Sequence, residues 1–437
     1  MTLDQLTSPA GIPCACGKVH RCTVDKVLCR PGAMDEVPEI VRSYTQGKVF
    51  VLCDPNTYSA AGERLCGVLD RADIGYSLYV LSSPHPAPAE ETAGSALMHF
   101  DFGAKMIIAV GSGVVNDTAK LLAAASGLPY CIVATAPSMD GYASATSSME
   151  RDGLKVSLPS ACPNVIVGDT EVLRAAPEAM LRSGLGDMLA KYVSICEWRI
   201  AQRVTGEYYC EFVSELVRSA LEKCVSNAQG LLKREPGAVE AVFEGLVIGG
   251  LAMTFAGLSR PASGVEHYFS HVWDMRTLEF GTPGESHGIQ CALGTLLSVR
   301  MYEKLATLTP DTARAIAHAA DFDTGAHFAM LRELLGHGAE AMIAQEAREK
   351  KYDPALHRER LGRIVENWDY IRSVIAEELP SSAELCRLMK SVGLPTDPAE
   401  LGLDGDLDRV FLATKDIRDK YVLSRLVWDL GLDLLPQ

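Results

Sequence analysis

Over its first 170 residues this chain alternates short, continuously apolar runs with helical ones, and few architectures accept that rhythm. "KVFVLCD" (48–54), "YSLYVLS" (76–82), "MIIAVG" (106–111) and "YCIVATAPS" (130–138) read as strands. The intervening "NTYSAAGERLCGVLDRA", "AEETAGSALMHFDF" and "SGVVNDTAKLLAAASG" carry helical periodicity. A strand that is apolar at every position must be covered on both faces, and strands joined through helices pair in parallel. After about residue 170 the strand signal fades. Helices are expected at 187–204, 207–233, 238–258, 264–276 and 286–305 and onward to the C-terminus, punctuated by prolines. The expected fold class is therefore α/β: a doubly wound parallel-sheet nucleotide-binding domain at 1–170, then an all-helical domain at 171–437.

With 437 residues, 48% hydrophobic and 22% charged, the chain can fill two cores. A net charge of −15 argues against nucleic acid or an anionic membrane surface as a partner. No run approaches the roughly 18 apolar residues of a membrane span. The opening "MTLDQLTSPAGIPCACGKVH" lacks a basic stretch followed by an apolar one, so a cytoplasmic location is expected. Most of the 13 cysteines, such as Cys53, Cys131 and Cys291, sit in apolar surroundings, as small core residues of a reducing compartment do. "CACGKVHRC" differs: Cys14, Cys16, His20 and Cys22 are zinc-ligand types, but their spacing is unlike a common finger. A glycine-turned β-hairpin is expected there.

Three stretches of the α/β half carry candidate chemistry. In "AVGSGVVNDTAK" the turn Gly111, Ser112, Gly113 runs from a strand into a helix. Glycines there let backbone N–H groups approach a phosphate, and the helix N-terminus favours an anion. Asn116 and Asp117 would follow as caps or cofactor contacts. Asp54, just past the first of these strands, is placed for ribose hydroxyls or as a helix cap; a carboxylate repels a 2′-phosphate and so leans toward NAD over NADP. "ATAPSMDGYASATSSM" lies past a strand, at the edge where such sheets bind ligands, and Asp140 is its only charge. The following "SSMERDGLKVSLPS" reads as a hairpin turning at Asp152-Gly153.

The helical half offers a carboxylate and three imidazoles. In "RSGLGDMLAKYVSICEW", Asp187 follows two glycines and is expected at the start of a long helix. In "SGVEHYFSHVWDMR", His267 and His271 are four apart, about 40° of helical rotation, so both leave one face. His287 opens another apolar run in "GESHGIQCALGTLL". One carboxylate and two imidazoles make a plausible ligand set for Zn²⁺, Ni²⁺ or Fe²⁺ with open positions for substrate.

Taken in order, "VGSGVVNDTAK", "ATAPSMDGYAS", "GLGDMLAKY", "SGVEHYFSHVWDM" and "ESHGIQCALGT" resemble the metal-dependent (iron-type) alcohol dehydrogenase superfamily, most closely its sn-glycerol-1-phosphate dehydrogenase branch. The resemblance runs from about residue 20 to past 300. It implies that Asp54, the turn Gly111, Ser112, Gly113, Val114, Val115, the segment Thr135, Ala136, Pro137, Ser138, and Ser144 bind NAD(H) or NADP(H). It implies Asp140 at the substrate, Asp187, His267 and His287 on one divalent metal, and His271 facing the substrate without ligating. The G-S-G turn departs from the commoner G-G-G, and the C-terminal hundred residues match no motif. The implied reaction is reversible reduction of dihydroxyacetone phosphate to sn-glycerol 1-phosphate by a homodimer. Arg151 and Lys155 are candidates for the phosphate. Alternatives are a glycerol or polyol dehydrogenase, a sugar-phosphate cyclase like dehydroquinate synthase, or a non-catalytic binding protein.

Overall fold

The four inner strands of the sheet are buried along their whole length, as a sheet clad on both faces requires. In the computed structural model, which describes residues 1–152 and 154–436, a short antiparallel hairpin comes first: β1 (Ile12–Pro13) and β2 (Val19–His20). The sheet strands are β3 (Lys26–Arg30), β4 (Val49–Cys53), β5 (Tyr76–Val80), β6 (Ile107–Gly111) and β7 (Tyr130–Ala134). A second antiparallel hairpin, β8 (Thr146–Arg151) and β9 (Leu154–Pro159), precedes the last sheet strand, β10 (Val165–Asp169). The sheet is wholly parallel in the order β3-β10-β7-β6-β4-β5. Val51, Ile108, Val110, Val133 and Val167 pack from it against Val37, Ile40 and Val41.

Two of the six strands escape the sequence reading. β3 is an edge strand with a charged residue at each end, and β10 has only three apolar residues before Gly168 and Asp169, so neither shows a sustained run. The β8–β9 hairpin forms as expected. Asp152 takes φ +53° at its turn, and Gly153 lies outside the described residues.

The chain forms two compact units, and they do not divide at residue 170. The first comprises Met1–Met188 and Phe212–Leu258; the second comprises Leu189–Glu211 and Ser259–Gln437. The physical reason is the sheet's need for cover. The apolar helix Pro236–Ala256 lies against β3, and a Cβ on Gly168 of β10 would sit 2.3 Å from the Phe243 ring of that helix. The same helix corrects the expectation about apolar runs. It is long and apolar enough to cross a membrane, but most of it is buried as a core helix of the first unit.

The second unit is helical among its described residues. Its helix Val265–Phe280 packs along helix His287–Ala306. A Cβ on Gly294 would stand 2.7 Å from the Glu266 carbonyl oxygen, so only glycine allows the helices to cross this closely.

Candidate active site

In the first unit the candidate residues gather at the carboxyl edge of the sheet. After β4 the chain steps outward to β5 and then returns to the other side of β4 as β6, so the strand order reverses between β4 and β6. Nucleotides bind at such reversals in open α/β sheets. Leu52 of β4 pairs with Ala109 of β6, and two residues further on the same register sets Asp54 beside Gly111.

Each of these residues also has a structural task. Asp54 caps the short helix Pro55–Thr57: its carboxylate accepts the Thr57 N–H at 2.8 Å. A Cβ on Gly111 would lie 2.5 Å from the Val115 Cβ, which makes glycine obligatory where β6 turns into helix Gly113–Ser126. Val114 stands in the first turn of that helix. Ser112 holds the next loop, its hydroxyl 2.5 Å from that of Ser138. Thr135 N–H donates to the Gly111 carbonyl at 3.1 Å, and the Ala136 carbonyl accepts from the Tyr142 hydroxyl at 2.7 Å. The segment 135–138 is thus a fixed wall.

Asn116 and Asp117 are neither caps nor exposed contacts. Asn116 accepts from the Tyr130 hydroxyl at 2.8 Å, and Asp117 accepts from Lys120 and from Ser148 N–H, with burial raising its pKa. Lys120, not singled out from the sequence, is wholly buried. Its ammonium donates to the Gly141 carbonyl, the Ser144 hydroxyl (3.0 Å) and the Thr146 carbonyl (3.1 Å), tying the helix to the Asp140 loop. Ser144 is therefore turned to that ammonium. Arg151 and Lys155 lie on the β8–β9 hairpin.

Asp187 corrects the expectation of a helix start. It stands in the last turn of helix Glu178–Leu189, which runs through both glycines. Gly184 is there because a Cβ would come within 1.8 Å of the Pro137 carbonyl oxygen, not because a helix begins after it. The close approach brings the helix under the loop. Ser183 donates to the Ser138 carbonyl at 3.0 Å, and the fully buried Asp187 accepts the Asp140 N–H at 2.8 Å.

In the second unit the structure brings the histidines together. The ring of His287 lies 5.0 Å from that of His267 and 6.2 Å from that of His271. Both nearer imidazoles are held through Nδ1. His267 Nδ1 is 2.9 Å from Glu266 Oε1, a carboxylate acceptor. His287 Nδ1 is 3.0 Å from Ser270 Oγ, whose own hydrogen goes to Gln290 Oε1 at 2.8 Å. Each partner can only accept, so each Nδ1 carries the hydrogen and each Nε2 keeps its lone pair. This is the protonation state of a metal ligand, and the residues fit a divalent ion. Cys291, one turn after His287, joins them: His267, His287 and Cys291 place one donor atom each within 4.8 Å of the others. Its apolar sequence surroundings hid it. Behind the pair, burial and then the Glu266 charge push Glu197 up to about 8, while Glu197 accepts the Val265 N–H at 3.0 Å.

Residues 28–177 match the family described as iron-containing alcohol dehydrogenase. The chain is 29% identical over 426 residues to glycerol-1-phosphate dehydrogenase (NAD(P)+) of Bacillus licheniformis, covering 96% of this chain and 92% of that one. It is 32% identical over 305 residues to the protein of the same name from Bacillus velezensis, covering 68% and 77%. Among solved structures, glycerol dehydrogenase from Schizosaccharomyces pombe superposes with a TM-score of 0.61 at 18% identity, covering 93% and 88%, which is a likeness of fold.

Proposed function

Since this chain belongs to the glycerol-1-phosphate dehydrogenase family of the iron-containing alcohol dehydrogenases, we propose that it reduces dihydroxyacetone phosphate to sn-glycerol 1-phosphate, reversibly, with NADH or NADPH as hydride donor. The observation that carries this reading is the His267–His287 pair, with rings 5.0 Å apart and each Nδ1 held by a hydrogen-bond acceptor, Glu266 or Ser270.

The assigned roles are these. Asp187, His267 and His287 hold one divalent ion, Zn²⁺, Ni²⁺ or Fe²⁺; once bound, such an ion draws electrons from a carbonyl oxygen and favours negative charge there. Asp54, the 111–115 turn, the 135–138 wall and Ser144 bind the dinucleotide. Gly111 and Gly113 let the backbone come close to the pyrophosphate, and the N-terminus of helix Gly113–Ser126 favours its charge. The Asp54 carboxylate takes the ribose hydroxyls, which favours NADH. Asp140 orients the substrate, its loop held through its own N–H by Asp187. His271, one turn from His267, passes the proton to the nascent alcohol oxygen. The protein works as a homodimer in the cytoplasm.

The test is NADH oxidation followed with dihydroxyacetone phosphate and, separately, with dihydroxyacetone, before and after chelation. Fast oxidation of NADH by the phosphorylated ketone alone, abolished by chelation, is expected. Turnover with only the unphosphorylated ketone would move the chain to polyol chemistry; phosphate release without net NADH change would mark a cyclase. His267→Ala should remove metal and activity together, and full activity in a metal-free variant would sink the ligand assignment.

A further inference from the structure

We propose that the N-terminal hairpin carries a second, structural metal site, in which Cys14, Cys16 and His20 hold a thiophilic divalent ion, zinc above all. The hairpin expected from the sequence does form: β1 and β2 pair Ile12 with His20. Its turn folds the two thiols back toward the imidazole. Gly17 N–H donates to the Cys14 carbonyl at 3.1 Å, Cys14 N–H donates to the Lys18 carbonyl at 3.0 Å, and Gly17 takes φ +86°, open to glycine at little cost.

The donor atoms have the spacing a tetrahedral ion needs. One from each of Cys14, Cys16 and His20 lies within 4.8 Å of the others, and Cys16 Sγ is 3.5 Å from His20 Nε2. Ligand bonds of about 2.3 Å to sulfur and 2.0 Å to nitrogen at tetrahedral angles separate S from N by roughly 3.5 Å. The imidazole is also in the ligating tautomer. His20 Nδ1 lies 3.1 Å from the Phe255 carbonyl oxygen, which can only accept, so Nδ1 carries the hydrogen and Nε2 turns its lone pair to the thiols. The ring is 2% exposed, between Phe212 (5.5 Å) and Phe255 (5.6 Å).

Cys22, grouped with the hairpin by sequence, is turned away toward the Leu6 and Val24 carbonyls at 3.8 and 3.6 Å. Two thiolates and one imidazole form a soft donor set that suits zinc. The bound ion would pin the hairpin to the end of helix Pro236–Ala256, where Lys18 Nζ already meets the Ala256 carbonyl at 3.1 Å.

The test uses the full chain, untagged, with Cys291→Ser introduced so that no thiol remains beside the His267–His287 pair. Loaded with Co²⁺, this protein should show a strong near-ultraviolet thiolate-to-cobalt band, and Cys14→Ser/Cys16→Ser in the same background should lose the band and one metal per chain. Loaded with Zn²⁺, the folded parent protein should show a sulfur shell at about 2.3 Å in X-ray absorption, a measurement independent of how the double variant folds. No sulfur shell in the parent, or a band unchanged by the double substitution, overturns the proposal. His267→Ala should leave the band in place, which separates this site from the proposed catalytic one.

Discussion

Glu266 and Ser270 do for His267 and His287 what neither imidazole can do alone: they fix which nitrogen carries the hydrogen. The sequence displays the four-residue spacing of His267 and His271 but not these partners, because a carboxylate adjacent in sequence and a serine on the preceding helix, 17 residues before His287, look like ordinary helix residues. The nearer approach of His287 to His267 than to His271 leaves His271 for proton transfer in the proposed mechanism. His271→Ala should then keep full metal content while kcat falls about 10²- to 10⁴-fold; metal analysis beside steady-state rates checks this, and loss of metal would make His271 a ligand instead. A second buried centre bears on stability. Asp416 accepts from His327 Nε2 and from the Tyr352 hydroxyl, both at 2.7 Å. Burial pushes this carboxyl up, but the His327 hydrogen bond and the Lys415 charge outweigh it and hold the group at about 2, below the ordinary 3.8. A carboxyl with a depressed folded pKa contributes stability above its unfolded value and loses it as pH falls through the folded one. Asp416→Asn should therefore cost about 3–5 kcal/mol at neutral pH and flatten the decline in stability between about pH 4 and pH 2. Denaturant titrations across that range check both, and an unchanged acid limb would contradict the assignment.

At the scale of elements, β4, β6 and β7 were legible because nothing but a clad parallel sheet tolerates such buried runs, the half-buried edge strand β5 was legible from its own apolar run, and the main helices of the second unit were legible from their periodicity. What the sequence concealed was the use of glycine. "GLGD" reads as a helix boundary, yet Gly184 lies inside a helix whose surface presses on the Pro137 carbonyl oxygen. Glycine weakens a helix wherever it sits, so local preference points the wrong way when tertiary contact demands the missing side chain. Gly184→Ala puts a methyl group where that oxygen is. It should destabilise the protein by about 1–3 kcal/mol and, by displacing the 135–138 wall, raise KM for the dinucleotide more than it lowers kcat. Thermal melts with saturation kinetics decide; an unchanged KM would remove the wall from the cofactor site.

For the whole molecule, the sequence motifs lay in the right order, and the fold class followed from the alternation of elements. The division of the chain was harder to read, since a single cut after the last strand ignores which helix covers the sheet. Phe243 against Gly168 is a contact 75 residues apart in sequence, and no local pattern announces it. Binding should report on the unit that holds the site: NADH at a hundredfold excess over its Kd should stabilise the protein by about 2.7 kcal/mol, read as a raised melting temperature. The absence of any shift would argue against a dinucleotide site at the β4–β6 reversal.

The first unit is completed only by residues 212–258, and this has a consequence for the newborn chain. When the last sheet strand leaves the ribosome, the helix that must cover it has not been made. At about 5–20 residues per second, the 88 residues from 170 to 258 take roughly 4 to 18 seconds to synthesise. Through that interval the nascent sheet offers its apolar face to whatever is near, which makes it a natural client for a chaperone that waits at the exit tunnel.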